Sequence, residues 1–278
     1  MIKLLPLILL LCSCSGLKYT ESCVPLSGKE IISFLDTLSL GVREDAILEF
    51  VKKGNIPEFL NCYQEIVVLD TINGNKTELK YYVSPDYFSL GNNSGYFLTP
   101  VTPLTAQKIA DHFNCILPTA KMSDQIYKAS EIKYNPQPIK PSPGMITIKV
   151  FADHNDSIIA QRKKYFNDIS LTALSAGHKK DVVISNSIYT NLKTKVPKPV
   201  VIYGWHKLDG KPIQPLYNGH DEKYADYSHG IRLIKRSALL NGKEVDLVQI
   251  LKDSILCNLI SGEGVIDKAY YEVKCLGL

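Results

Sequence analysis

The chain has 278 residues, of which 45% are hydrophobic and 22% charged, with a formal net charge of +4 at pH 7. This is an ordinary globular composition, long enough for one large domain or two small ones and for a sizeable buried core. The mild positive charge is spread along the chain, which excludes a nucleic-acid binder with its concentrated basic face and leaves an anionic envelope polymer as a suitable partner.

The first residues set the compartment. Met1-Ile2-Lys3 is a short positive n-region and Leu4 to Leu11 an apolar stretch too short to span a bilayer. Leu11-Cys12-Ser13-Cys14 resembles the lipobox of bacterial lipoproteins, which makes residues 1–14 a signal peptide and Cys14 the acylated N-terminus. An ordinary cleaved secretion signal is the alternative. Either way the protein is expected outside the cytoplasm. As a lipoprotein it would be held to a bacterial membrane by its N-terminal lipid, facing the periplasm or the cell surface. Residues 15–28 read as a polar tether with Pro25 and Gly28. Of seven cysteines, five remain beyond the leader: Cys23, Cys62, Cys115, Cys257 and Cys275. In an oxidising compartment they predict two disulfides, Cys257 with Cys275 first and Cys62 with Cys115 second. None sits in a CxxC spacing.

From Lys29 to Leu60 the pattern is helical, with one apolar face at Ile31, Ile32, Phe34, Leu35 and Leu38 and another at Ile47, Leu48, Phe50 and Val51. Ile66–Leu69, the turn at Asn73-Gly74-Asn75 and Leu79–Val83 predict a hairpin. Tyr96–Pro100 is a further strand, and Thr105–Phe113 and Met122–Ala129 are helices. Four prolines fall between Pro136 and Pro143, a linker or strap. Beyond it, Ile146–Val150 alternates as a strand, Ser157–Tyr165 reads as a helix, and Asp181–Ile184, Val200–Tyr203, Arg232–Ile234 and Val245–Leu251 read as strands. The expected fold class is α+β, with a helical and hairpin-containing module over 29–135, a linker at 136–143 and a sheet-based catalytic unit over 144–278.

Histidine is unevenly placed: His178, His206, His220 and His229, four of six, fall between positions 178 and 229. Each stands beside a glycine, an acid or both, and several lie at the ends of apolar runs, where a rigid sheet presents polar side chains to a ligand. Imidazole there serves as acid/base or metal ligand. His206 and His229 are the expected acid/base pair, oriented by Asp226, with His178 and Asp181 completing the site. Arg232 is the candidate clamp for a substrate anion or a structural salt bridge to Asp226 or Asp181. Trp205, the one tryptophan, and His220 are candidate substrate contacts. With an aspartate, the four histidines also offer enough ligands for one zinc ion, so the cofactor expectation is none or zinc. Asp226 or Asp181 with Glu263 is a third arrangement, a carboxylate pair for glycoside cleavage. Lys179-Lys180 and Lys235-Arg236 read as solvated faces, and Asp153-His154-Asn155-Asp156 and Gln161-Arg162 are candidates to line the same cleft, though no spacing ties them to the cluster.

Ser228-His229-Gly230-Ile231-Arg232-Leu233 resembles the SHGCIRL signature of L,D-transpeptidases, and Ile202-Tyr203-Gly204-Trp205-His206 resembles their upstream strand-end histidine. The resemblance covers about 32 residues. It implies acyl transfer on peptidoglycan, but the family's cysteine is missing between Gly230 and Ile231, which leaves Ser228 as the only nucleophile in the motif. The trio GHKKD, YGWH and DYSHG also resembles an uncharacterised secreted bacterial family. The expected function is an envelope-anchored hydrolase or transferase acting on a cell-wall polymer, peptidoglycan before glycan. The alternatives are a non-catalytic envelope-binding lipoprotein and a zinc-dependent hydrolase.

Overall fold

The computed structural model describes residues 25–189 and 199–273. The leader with Cys14, most of the tether, Cys23 and Cys275 lie outside the described residues. The chain is an α+β protein, helical and hairpin-containing at its start and richer in sheet towards its end. No helix among the described residues is long and apolar enough to cross a membrane.

In chain order the elements are α1 (Gly28–Leu35), α2 (Leu40–Lys52), β1 (Gln64–Ile72), β2 (Asn75–Val83), β3 (Ser89–Asn92), β4 (Gly95–Leu98), α3 (Pro103–His112), β5 (Cys115–Ile116), α4 (Ala120–Ala129) and β6 (Ile132–Lys133). Then follow α5 (Ile148–Tyr165), β7 (Ser175–Ala176), β8 (Lys180–Val182), β9 (Val200–His206), β10 (Pro212–His220), β11 (His229–Gly230), β12 (Ile234–Lys235), β13 (Ser237–Leu240), β14 (Lys243–Asp246) and α6 (Leu247–Lys252). Short 3-10 turns lie at Glu58–Asn61, Pro143–Ile146, Asn186–Ile188 and Leu256–Leu259.

Helix α1 starts where a capping box dictates. The Glu30 amide donates to Ser27 Oγ, and the Ser27 amide donates to Glu30 Oε2 at 2.7 Å, so two otherwise orphaned donors are satisfied. The β1–β2 hairpin forms as expected around Asn73-Gly74, and along β2 Thr77, Leu79, Tyr81 and Val83 turn inward with the period of two that a half-buried strand requires.

Several readings are corrected. Ile146–Val150 is not a strand: Pro143–Ile146 is a 3-10 turn, and α5 starts at Ile148. The reason is the Thr147 hydroxyl, which caps the Val150 amide, and the recurrence of Ile148, Phe151, Asn155, Ile158 and Arg162 on one buried face, a helical spacing that outlasts five residues of alternation. Val245–Leu251 is likewise divided, because Asp246 ends β14 and caps α6 through the Val248 amide at 2.8 Å. Cys62 and Cys115 are not paired: both are free thiols, Cys62 exposed and Cys115 buried with its sulfur 3.3 Å from the Tyr63 hydroxyl. Cys257, expected to pair with Cys275, is likewise a free, buried thiol, and Cys275 lies outside the described residues.

A six-stranded sheet runs β14-β13-β2-β12-β5, with β1 also on β2, and a four-stranded sheet runs β10-β9-β8-β11. Both halves flanking the proline-rich stretch contribute to the first sheet, and one continuous core joins Ile31, Leu79 and Ile109 to Val201, Leu247 and Ile260. The second sheet carries the histidines. There β11 joins β8 in parallel, setting His229 opposite Lys180 and Gly230 opposite Asp181, while β9 joins β8 from the other side.

Candidate active site

The predicted residues separate into three groups, all rooted in the four-stranded sheet. The first lies at the β8–β11 pairing. Lys180 Nζ stands 3.7 Å from Asp226 Oδ2, and the Tyr224 hydroxyl donates to the same oxygen at 3.3 Å. The other oxygen, Oδ1, accepts the Ser228 amide at 2.8 Å and the Ser228 hydroxyl, and lies 4.0 Å from His229 Nε2. Burial pushes the Asp226 carboxyl up, but His229, Lys180 and the Ser228 donors outweigh it and hold it down at about 2. Burial brings the His229 imidazole down to about 4, against the pull of Asp226, so at neutral pH it is uncharged. His229 is fully buried and neither ring nitrogen has a hydrogen-bond partner.

The walls of this group are aromatic. His220 and Tyr224 stack at 3.8 Å and Tyr224 meets His229 edge-on at 5.7 Å, so the half-exposed pair covers the buried imidazole. Lys180 Nζ lies over the Trp205 ring at 5.5 Å. Trp205, itself buried with an unpartnered indole nitrogen, packs on Tyr227 and on His154, another buried imidazole with neither nitrogen bonded. Beneath them Lys179 donates to the Tyr227 carbonyl at 2.6 Å, and burial lowers its ammonium to about 7.

The second group is internal. His178 Nε2 donates to Asp86 Oδ1 at 2.8 Å, with His178 1% and Asp86 4% exposed. Arg232 is fully buried, lies 4.0 Å above the Tyr87 ring, and donates to the Ser84 and Ser175 carbonyls at 3.2 and 2.7 Å. It ties the chain together and reaches no cleft. The Tyr87 hydroxyl donates to Asp181 Oδ2 at 3.2 Å, and burial raises that carboxyl to about 6 against the opposing charges of Arg232 and His206.

The third group faces a separate cleft of about 460 Å³ beside Tyr127, Tyr203 and Asp209. His206 Nε2 lies 2.7 Å from Asp124 Oδ1, and the ring stacks on Tyr127 at 4.5 Å. The strand end is bent by two successive positive φ angles, +99° at Gly204 and +56° at Trp205, which turn Trp205 and His206 inward together. A Cβ at Gly204 would stand 3.3 Å from His206 Cε1 and 3.4 Å from Asp181 Oδ2, so glycine is needed for both its backbone and its lack of a side chain.

His220, His229 and Asp226 are thus brought together, while His178 and His206 are drawn to Asp86 and Asp124. Among the described residues no three His, Cys, Asp or Glu side chains are placed to share a metal ion. Glu263 does not join Asp181 or Asp226; its carboxylate caps the Ser185–Asn186 turn at 2.9 and 3.2 Å. Ser228 is fully buried and its hydroxyl donates to Asp226, closing a local turn rather than aiming outward. Where the transpeptidase signature has its cysteine, this chain passes directly from Gly230, whose Cβ would strike Tyr87 and Lys179 at 2.6 and 2.8 Å, to Ile231, which is buried in the core.

Sequence reasoning missed Asp86, Tyr87 and Asp124, named His154 without tying it to the cluster, and misread Lys179-Lys180 as solvated. The strand period carried the signal for the lysines: next to a strand read at 181–184, one of two adjacent residues must face inward. Compared with known protein families, curated proteins and solved structures, the chain matches none.

Proposed function

We propose that this chain is a hydrolase or transferase of the cell envelope, acting on a cell-wall polymer, peptidoglycan before others, at the Lys180–Asp226–His229 cluster. The observation that carries this reading is His229: a buried, uncharged imidazole with both nitrogens unpartnered, 4.0 Å from an ionised carboxylate that itself faces an ammonium. A buried polar ring without partners is costly as structure and useful as a base. In the hydrolytic form, water attacks a carbonyl carbon of the peptide stem as His229 takes its proton. Lys180 offsets the charge that grows on the carbonyl oxygen, and the proton passes to the departing nitrogen. Tyr224, half-exposed beside the cluster, offers its ring to an apolar or sugar portion, and entry to the buried imidazole requires the Tyr224–His220 stack to move. The N-terminal leader supports the envelope as the place of action.

Isolated peptidoglycan incubated with the wild type, His229→Ala and Lys180→Met tests this by mass spectrometry of the released muropeptides. New fragments from the wild type, falling by about 100-fold or more in His229→Ala, are expected. Peptidoglycan that sediments with the protein but stays chemically unchanged would replace the enzyme with a binding lipoprotein.

A further inference from the structure

A cleft of about 620 Å³ shares no residue with the cluster above. It lies between α1 and α5, closed at one end by the β3–β4 turn. Helical periodicity builds both sides: α1 contributes Lys29, Ile32 and Ser33, and α5 contributes Asn155, Ile159, Arg162 and Lys163, each set recurring on a single helix face. Tyr96 and Leu171 extend the walls.

The chemistry is asymmetric. Ile32, Ile159 and Leu171 make an apolar lining, while Lys29, Lys163 and Arg162 supply three cations against one carboxylate, Asp156, at the mouth. Lys29 and Lys163 are exposed, and neither has an ion-pair partner among the described residues. Arg162 is buried, and its hydrogen-bond partners are all neutral: the Tyr134 hydroxyl at 3.3 Å and the Ile169 and Ser170 carbonyls at 2.8 and 2.9 Å. The carboxylate whose charge acts on it is Asp86, already held by His178. The cleft therefore carries uncompensated positive charge over an apolar wall, the pattern of a small-molecule site rather than of a packing defect.

We infer that the α1–α5 cleft binds an anionic amphiphile, a phosphate or carboxylate on a short aliphatic body, with the anion at Lys29 and Lys163 and the chain along Ile32 and Ile159. The test uses the full-length chain labelled at its isoleucine methyls, titrated with octyl phosphate, octyl glucoside and inorganic phosphate. Octyl phosphate is expected to shift the Ile32 and Ile159 methyls saturably, and the Lys29→Gln/Lys163→Gln double variant to weaken it about ten-fold. The two other probes are expected to leave those methyls unmoved at the same concentrations. An equal response to octyl glucoside would overturn the anion preference, and an equal response to inorganic phosphate would overturn the apolar half. Silent methyls with octyl phosphate would remove the site altogether. Phosphatidylglycerol vesicles moving the same methyls would identify a membrane lipid as the carrier; a response to octyl phosphate alone would identify a free amphiphile.

Discussion

Lys180 and Asp226 face each other at 3.7 Å across the junction of two strands that run parallel, with the carboxylate 3% and the ammonium 13% exposed. Asp226 also receives the Ser228 amide and hydroxyl and the Tyr224 hydroxyl, so one carboxylate organises the whole segment. Asp226→Ala leaves those donors and Lys180 without their acceptor. A loss of about 3 kcal/mol in urea unfolding is expected. Asp226→Asn, which retains an acceptor oxygen for Ser228, is expected to lose less, and equal losses would contradict the organising role.

Lys179 makes stability depend on alkaline pH. Its folded-state value is about 7 against 10.5 when unperturbed, because burial disfavours the ammonium. Between those values the unfolded chain holds a proton that the folded chain has released, so stability rises with pH across this window and levels off above it. Below about pH 7 both states are protonated and the destabilisation stays constant. Melting temperatures from pH 6.5 to 10 should climb in the wild type, and Lys179→Met should flatten that climb. Parallel curves would mean that the ammonium is not the group responsible.

Gly230 is held by space alone. Gly230→Ala places a methyl 2.6 Å from Tyr87 Cδ1 and 2.8 Å from Lys179 Cβ, and two packed elements would have to move. Destabilisation of about 2 kcal/mol or more is expected from denaturant midpoints, accompanied by perturbed β8–β11 amide exchange. An unchanged midpoint would show that this parallel junction is looser than its contacts indicate.

The thiols differ in access. Cys62 is exposed, whereas Cys115 and Cys257 are 4% and 1% exposed. Brief alkylation of the native protein, mapped by mass spectrometry, should label Cys62 well ahead of the other two, with all three labelled in denaturant. Native protection of Cys62 would point to a bond or contact that covers it.

How far the sequence could be read depends on how local each signal is. The capping box at Ser27 and Glu30, the Asn73-Gly74 turn and the alternation along β2 are short-range, and each leads directly to its element. The joining of Lys180 to Asp226 was not legible, because it rests on a two-residue parallel pairing without any periodic pattern. Arg232 illustrates the opposite error. A guanidinium inside an apolar run reads equally well as a substrate clamp or as a buried strut, and only the carbonyls of Ser84 and Ser175, remote in sequence, decide for the strut. Asp86 and Asp124 escaped notice because nothing beside them in the chain marks them as partners of His178 and His206.

The placement of β2 has a consequence for how the molecule comes into being. One part of this strand pairs at once with β1 through a tight turn, but its other neighbours, β12 and β13, are residues 234–240. On the ribosome, β2 must wait with that edge open until residues 234–240 have been synthesised. Loop closure over such a span is slow, and the first half cannot settle as an independent unit. The polypeptide therefore acquires its structure late and all together, and it stays open to chaperones until the last strands arrive.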